Sequence, residues 1–173
     1  SLGASATTPY CEQFEQAPPS GMPMGWTIGR THNGTPAINA DANRSLQLKG
    51  HAATTNRSIA VLPQLSHSGA IQLSMSLRSS GANARLAVGH IDSDADPNTF
   101  EATDTLVADA AGVWQRMASV VNLPPQRRLA ISCFTVNQSE AQVLIDSLAA
   151  TQGITPTLAA VSARILAIGG NSG

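Results

Sequence analysis

The run Ala70 to Arg78, AIQLSMSLR, alternates apolar and polar residues without a break: Ile71, Leu73, Met75 and Leu77 point one way, and Gln72, Ser74, Ser76 and Arg78 the other. A period of two sustained over this length is satisfied by a strand with one face in a core and one in water, so the chain must build a sheet with a wet side. Short strand-compatible segments surround this one. They are Tyr10 to Glu15, Trp26 to Ile28, Ala37 to Ala40, Ser45 to Lys49, Arg57 to Leu62, Arg85 to Ile91, Phe100 to Val107 and Trp114 to Leu123. Between them lie turn formers: the Pro/Gly-rich APPSGMPMG, His32 to Pro36, Asp41 to Arg44, Gly81-Ala82-Asn83, Asp92 to Asn98 and Pro124-Pro125. Leu129 to Ala150 reads as two further apolar strands joined into a β-hairpin by Asn137-Gln138-Ser139-Glu140. Many short strands without a long helical period predict an all-β fold, an antiparallel sandwich or jelly roll.

Charge narrows the partners. Ten basic and eleven acidic residues leave a net charge of −1 over 173 residues, and they are spread along the sequence. No basic stripe points to nucleic acid or to an anionic membrane surface. No run of roughly 18 apolar residues is present for membrane insertion. The segment SLGASATTPY lacks the charged and apolar regions of a signal peptide, so the chain is expected to be soluble as given, any export signal having been removed.

Catalytic motifs are missing. There is no G-x-S-x-G elbow, P-loop or GxGxxG, and His32, His51, His67 and His90 fall in separate turns or at a strand end without H-E-x-x-H spacing, which predicts solvated histidines. A sandwich glycosidase needs two carboxylates across a cleft, whereas Glu12, Glu15, Glu101 and Glu140 form no E-x-D-x-E cluster. The expectation is a protein that is not an enzyme. Asp92, Asp94 and Asp96 have the D-x-D-x-D spacing of a calcium loop, but Pro97 and Thr103 stand where an EF-hand requires glycine and glutamate, so a polar turn around Asp96-Pro97 is the simpler reading. Sugar recognition would need an exposed aromatic face. Trp26 and Trp114 each sit where a strand enters or leaves the core and are expected to be core anchors. Asn33, Asn43, Asn56 and Asn137 match N-x-S/T, a pattern that chance also produces in so Asn-, Ser- and Thr-rich a chain.

Two positions resist a purely structural reading. Asp146 interrupts an apolar strand between Ile145 and Leu148, where a carboxylate is costly unless hydrogen bonds or a metal compensate it. Cys11 and Cys133 are too few for a cysteine zinc site; one disulfide or two free thiols remain.

The ordered motifs Phe14-Glu15, a Pro/Gly loop, Gly25-Trp26, S-L-x-L at Ser45 to Leu48, R-S-S at Arg78 to Ser80, V-G-x-I-D-x-D-x-D-P-x-T-F at Val88 to Phe100, Trp114 and L-I-D-S at Leu144 to Ser147 resemble the MAM-like jelly rolls called cleaved-adhesin domains. The resemblance covers roughly residues 9 to 151. Composition sets off a small, polar arm or linker over 1–8 and, punctuated by Gly153 and Pro156, a C-terminal extension over 152–173, either a last strand or the start of a further module, and the resemblance implies a jelly-roll domain over 9–151 between them. The resemblance also implies a non-catalytic adhesion or binding module of a larger exported protein, extracellular or at the cell surface. Its partners would be a host or matrix protein or a glycan, together with neighbouring domains of the parent chain. A carbohydrate-binding module is the alternative, and a small polysaccharide-degrading sandwich enzyme a more distant one. In the resembling domains a structural calcium joins the first strand to the last; the matching positions are Glu15, Asp146 and the turn beginning at Asp41. The other account of Asp146 is exposure to solvent or hydrogen bonding to backbone N–H groups. First and last strands of jelly rolls commonly lie close, which suggests a Cys11–Cys133 bridge clamping the termini, with about 4 to 5 kcal/mol of stabilisation from so long a loop.

Overall fold

The computed structural model describes residues 6–15, 22–29, 37–39, 44–50, 58–81, 83–136 and 140–153. Their strands are, in order, β1 (Tyr10–Glu12), β2 (Thr27–Ile28), β3 (Ala37–Asn39), β4 (Ser45–Gly50), β5 (Ser58–Val61), β6 (Gly69–Ser79), β7 (Ala84–Ile91), β8 (Glu101–Leu106), β9 (Gln115–Leu123), β10 (Arg128–Thr135) and β11 (Ala141–Gln152), with one 3₁₀ turn at Pro97–Thr99. They form two antiparallel sheets. The first runs β3-β4-β11-β6-β9 with β1 also on β11, and the second runs β2-β5-β10-β7-β8. The β-sandwich of jelly-roll type expected from the sequence is thus present.

The period-two pattern of β6 does what it predicts. Ile71, Leu73, Met75 and Leu77 are fully buried between the sheets, where they meet Leu46 and Leu48 of β4, Val143 and Ile145 of β11, and Leu86, Val88, Leu129 and Ile131 from the second sheet. Each such side chain contributes about 1.5–3 kcal/mol of burial. The second sheet is covered on its other side as well. Ile59, Val61, Ile91, Ala95 and Ala130 form a smaller cluster there with Phe100. Hence β5 and β10 are buried on both faces and read as largely apolar runs rather than alternations.

The loop carrying Asp92, Asp94 and Asp96 folds over this smaller cluster. Asp92 accepts from Asp96 N at 2.9 Å, and Asp96 accepts from Asn98 N at 3.0 Å, capping the Pro97–Thr99 turn. Two of its three carboxylates therefore hold backbone, as a polar turn requires.

Five expectations change. The predicted hairpin of β10 and β11 does not form: β10 pairs with β5 and β7, β11 with β1, β4 and β6, so the connection crosses from one sheet to the other. A polar turn bends the chain whether or not its flanking strands share hydrogen bonds. His90 is buried rather than solvated; its Nδ1 accepts from Arg127 Nε at 2.7 Å and its Nε2 lies 3.6 Å from Glu101. Burial, reinforced by Arg127 and opposed by Glu101, lowers its pKa, so the ring is held neutral. Trp114 is only partly buried and stands outside the core. The chain also joins the fold before Pro9, because Ala6 bridges to Leu65 and exchanges backbone hydrogen bonds with Gln64 and Ser66. His32, His51, the four N-x-S/T asparagines and residues 154–173 lie outside the described residues; of the C-terminal extension expected over 152–173 only Gln152, which ends β11, and Gly153 are described.

The fifth change concerns the cysteines, which are both free. Cys11 is exposed on β1, in register with Ala149. Cys133 packs against β4 at Gly50, where an added Cβ would stand 2.5 Å from the Cys133 carbonyl oxygen, and Gly50 is in register with Ala141. The two thiols thus sit near opposite ends of β11, on the order of 20 Å apart at about 3.3 Å per residue, far beyond the roughly 7 Å a disulfide spans. Burial pushes the Cys133 thiol up to about 12. A thiol reagent applied to the native protein is therefore expected to modify Cys11 within minutes and Cys133 only with unfolding. A native mass showing no free thiol would contradict this arrangement.

Candidate functional site

The first sheet has an unusual junction in β11. One edge of β11 is shared: Ala141 to Ile145 pair with β4, and Leu148 to Ala150 with β1, while the other edge pairs with β6 throughout. The register shifts between Asp146 and Ala149, and Ser147 takes φ 49°, a left-handed conformation that a serine adopts only under constraint. This bulge turns Asp146 and Ser147 toward the end of β1.

That end is built by a chain of hydrogen bonds from the core outward. Trp26 Nε1 donates to Tyr10 OH at 2.7 Å, Tyr10 OH to Glu12 Oε1 at 3.4 Å, and Phe14 N to Glu12 Oε2 at 2.8 Å. Phe14 is fully buried, edge-on to Trp26 with centroids 5.5 Å apart, so Trp26 is the core anchor its position predicts. Phe14 also has a positive φ of 62°, and the Glu12 carboxylate holds it there. Burial, first among the causes, raises the Tyr10 pKa to about 12, so the phenol stays a donor. The consequence is a sharp turn that buries Phe14 and leaves the next residue, Glu15, exposed. Sequence reasoning passed over Glu12; its signal was a second acid three residues before Glu15 on a strand with an aromatic at each end.

Glu15 and Asp146 are brought together by these two devices. Desolvation pushes the Asp146 carboxyl above its ordinary range, and the charge of Glu15 pushes in the same direction, against the N–H of Ser147, which donates to Asp146 Oδ1 at 2.7 Å. Neither acid has an ion-pair partner among the described residues. Ser147 Oγ donates to Gln13 Oε1 at 3.0 Å, and Arg116 of β9 reaches across β6 to donate to Ser74 Oγ and to the Ser147 carbonyl. Two carboxylates near enough for the charge of one to act on the other, with no countercharge among the described residues, are a pair of donors that suits a hard cation such as calcium. Asp41 lies outside the described residues, and among those described no three His, Cys, Asp or Glu side chains come together.

Elsewhere, a shallow depression of about 200 Å³ is lined by Lys49, Ser80, Glu140, Ala141 and Gln142 and holds a single carboxylate, half of what a glycosidase needs. No described helix is long and apolar enough to cross a membrane.

No protein-family model and no curated protein sequence matches the chain. Solved structures do. The K2 cleaved adhesin domain of Lys-gingipain superposes with a TM-score of 0.61 at 10% identity, over 84% of this chain and 99% of that one. It has the cleaved-adhesin fold. The K3 domain from Porphyromonas gingivalis agrees, with a TM-score of 0.60 at 16% identity over 84% and 98% of the two chains. The CBM22-1 xylan-binding domain of Xyn10C from Paenibacillus barcinonensis superposes at 0.57 with 16% identity, over 88% of this chain and 100% of that one. At these identities the likeness is one of fold; in this chain β1 lies beside β11, which brings the first strand to the last.

Two predictions follow from the junction. Glu12→Ala strips Phe14 N and Tyr10 OH of their acceptor and is expected to cost about 1–3 kcal/mol in urea unfolding. Asp146→Asn is expected to act oppositely in calcium-free buffer. Because the folded-state pKa of Asp146 is raised above its ordinary 3.8, the folded protein binds the proton more readily, and stability is lost as pH rises from about 3.8 through the folded value. At pH 7 the carboxylate is therefore a burden that asparagine removes while still accepting from Ser147 N. The urea midpoint of Asp146→Asn should exceed wild type at pH 7, with the gap closing as pH falls below 4; a lower midpoint at pH 7 would reject the assignment.

Proposed function

We propose that this chain is a non-catalytic binding module of a larger exported protein, acting at the cell surface or outside the cell to hold a protein or glycan partner. The observation that carries the reading is the match in extent: the superposition takes in 98–99% of the K2 and K3 adhesin domains, so the chain corresponds to a whole module of that kind. Carbohydrate binding is the favoured form of this activity for a specific reason. Trp114 is left partly exposed at the start of β9, and the xylan-binding CBM22-1 domain shares the fold.

Calcium belongs to this proposal as a brace rather than as a reagent. Glu15 and Asp146 would hold it, with oxygens of the turn beginning at Asp41 completing the shell. Bound there, the ion replaces the water that Asp146 has lost and ties the end of β1 to the bulge of β11. It would supply no chemistry of its own, and the ligand-binding surface need not touch it.

Capture on arrays of matrix proteins and glycans tests the module reading, together with a polysaccharide panel assayed for reducing-end release. Capture without release is expected; release would turn the reading toward an enzyme. The calcium brace has its own test. Thermal melts should rise with calcium and fall with chelator, by about 2.7 kcal/mol at a hundredfold excess over Kd. Both Glu15→Gln and Asp146→Asn should abolish that response. A wild-type midpoint indifferent to saturating calcium would retire the metal and leave the module reading standing.

A further inference from the structure

The outer face of the first sheet carries a charge pattern that its neighbours do not. Alternation along the strands puts Gln47 and Lys49 of β4, Gln142 and Leu144 of β11, and Arg78 of β6 on this face, opposite the buried Leu46, Leu48, Val143, Ile145 and Leu77. Register sets them in rows. Gln47 pairs with Leu144 and Leu144 with Arg78, while Lys49 pairs with Gln142 in the next row. Leu77 pairs with Gln115, and Gly112 N donates to Ser79 O at 2.9 Å, so the chain still follows β6 just before β9 and Trp114 falls beside Arg78. One row therefore reads Trp114, Arg78, Leu144, Gln47.

Arg78 and Lys49 are exposed and have neither a hydrogen bond nor an ion pair among the described residues. Their Cα atoms stand roughly 12 Å apart, two strand spacings across and two residues along. Between them, Gln47 Nε2 donates to Gln142 Oε1 at 2.5 Å, which fixes both amides. Arg116 adds a third positive charge on the same face, anchored to Ser74 and Ser147. The acids near the face are Asp146 at its bulge with Glu15 beside it, Glu140 at its rim, and Asp109, which accepts from Gln115 Nε2 at 3.3 Å at the start of β9. Five of the eleven acids, Asp92, Asp94, Asp96, Glu101 and Asp104, lie instead on β8 and the loop before it, in or beside the second sheet.

We propose that this face binds a uronate-bearing glycan, with sugar carboxylates on Arg78 and Lys49, a ring against Trp114 and hydroxyls on the Gln47–Gln142 amides. The inference rests on the binding-module reading and names its ligand class. An arginine fork without an internal partner matches a carboxylate in a bidentate geometry, a flat indole offers an apolar surface to a sugar ring, and paired amides offer both donors and acceptors. An acidic polypeptide would satisfy the two cations but would make no use of the amide pair or the aromatic.

The test is calorimetric titration of the full chain, at fixed calcium, with short oligogalacturonides, neutral xylo-oligosaccharides and oligoglutamate. Oligogalacturonide is expected to bind best and to weaken as salt rises. Arg78→Gln and Lys49→Gln should each weaken it about tenfold or more, the scale of one charged hydrogen bond, while Arg85→Gln on the second sheet leaves it unchanged. Arg78 is exposed, so its variant should retain the wild-type melting temperature, and that measurement guards against misfolding. Oligoglutamate binding equally well, xylo-oligosaccharide binding equally well, or indifference to both substitutions would each overturn the proposal. Capture of another partner on the arrays, with no oligogalacturonide binding, would overturn it while sparing the module reading.

Discussion

A strand has two edges and can satisfy one neighbour along each, yet β11 serves three. Its edge toward β4 is handed over to β1 partway along, and the hand-over is possible only because the backbone bulges between Asp146 and Ala149. Much of the first sheet's organisation depends on that local irregularity. It closes the sheet around the N-terminal strand, turns Asp146 out of the apolar ladder toward Glu15, and presents the Ser147 carbonyl to Arg116 from two strands away. The carboxylate that looks misplaced in an apolar run stands where the ladder is interrupted.

The two sheets divide their work accordingly. The second is covered on both sides, by the shared core and by the cluster under the Asp92–Thr99 loop, and its buried polar groups include internal ties such as His90 with Arg127 as well as the Ser58 and Ser132 hydroxyls, which lack a partner among the described residues. The first has a single buried face and spends the other on solvent, with amides, serines and cations in rows. Fold position, rather than any motif, separates a structural sheet from a presenting one.

The strands were legible because their alternation and the turn residues between them are local signals: β6, β4 and β9 fall where Ala70 to Arg78, Ser45 to Lys49 and Trp114 to Leu123 place them. Pairing was not legible. Whether the turn between β10 and β11 closes a hairpin or carries the chain across the sandwich depends on which edge each strand finds, and that is decided by partners far away in sequence. The same holds for His90 and the cysteines. A histidine at a strand end is solvated unless a distant arginine covers it, and two cysteines on early and late strands are near only if they share an end of the sheet. In the candidate site, Asp146 declared itself by breaking an apolar run and Glu15 by its motif, while Glu12, hidden among ordinary strand residues, is an acceptor whose role appears only once Phe14 has turned.

Arg128 is buried beside the loop before β2, its pKa lowered by desolvation, and among the described residues no carboxylate pairs with it. Its guanidinium donates to Leu62 O at 2.9 Å, Gly25 O at 3.0 Å and Thr27 Oγ1 at 2.9 Å, with Ser93 O at 3.5 Å. A cation that stays charged cannot leave water until acceptors replace it, and here they come from three separate segments. None of those segments can dock alone without stranding the charge. The arginine thereby couples β2, the end of β5 and the β7–β8 loop into one cooperative unit, so that this end of the sandwich opens and closes as a whole.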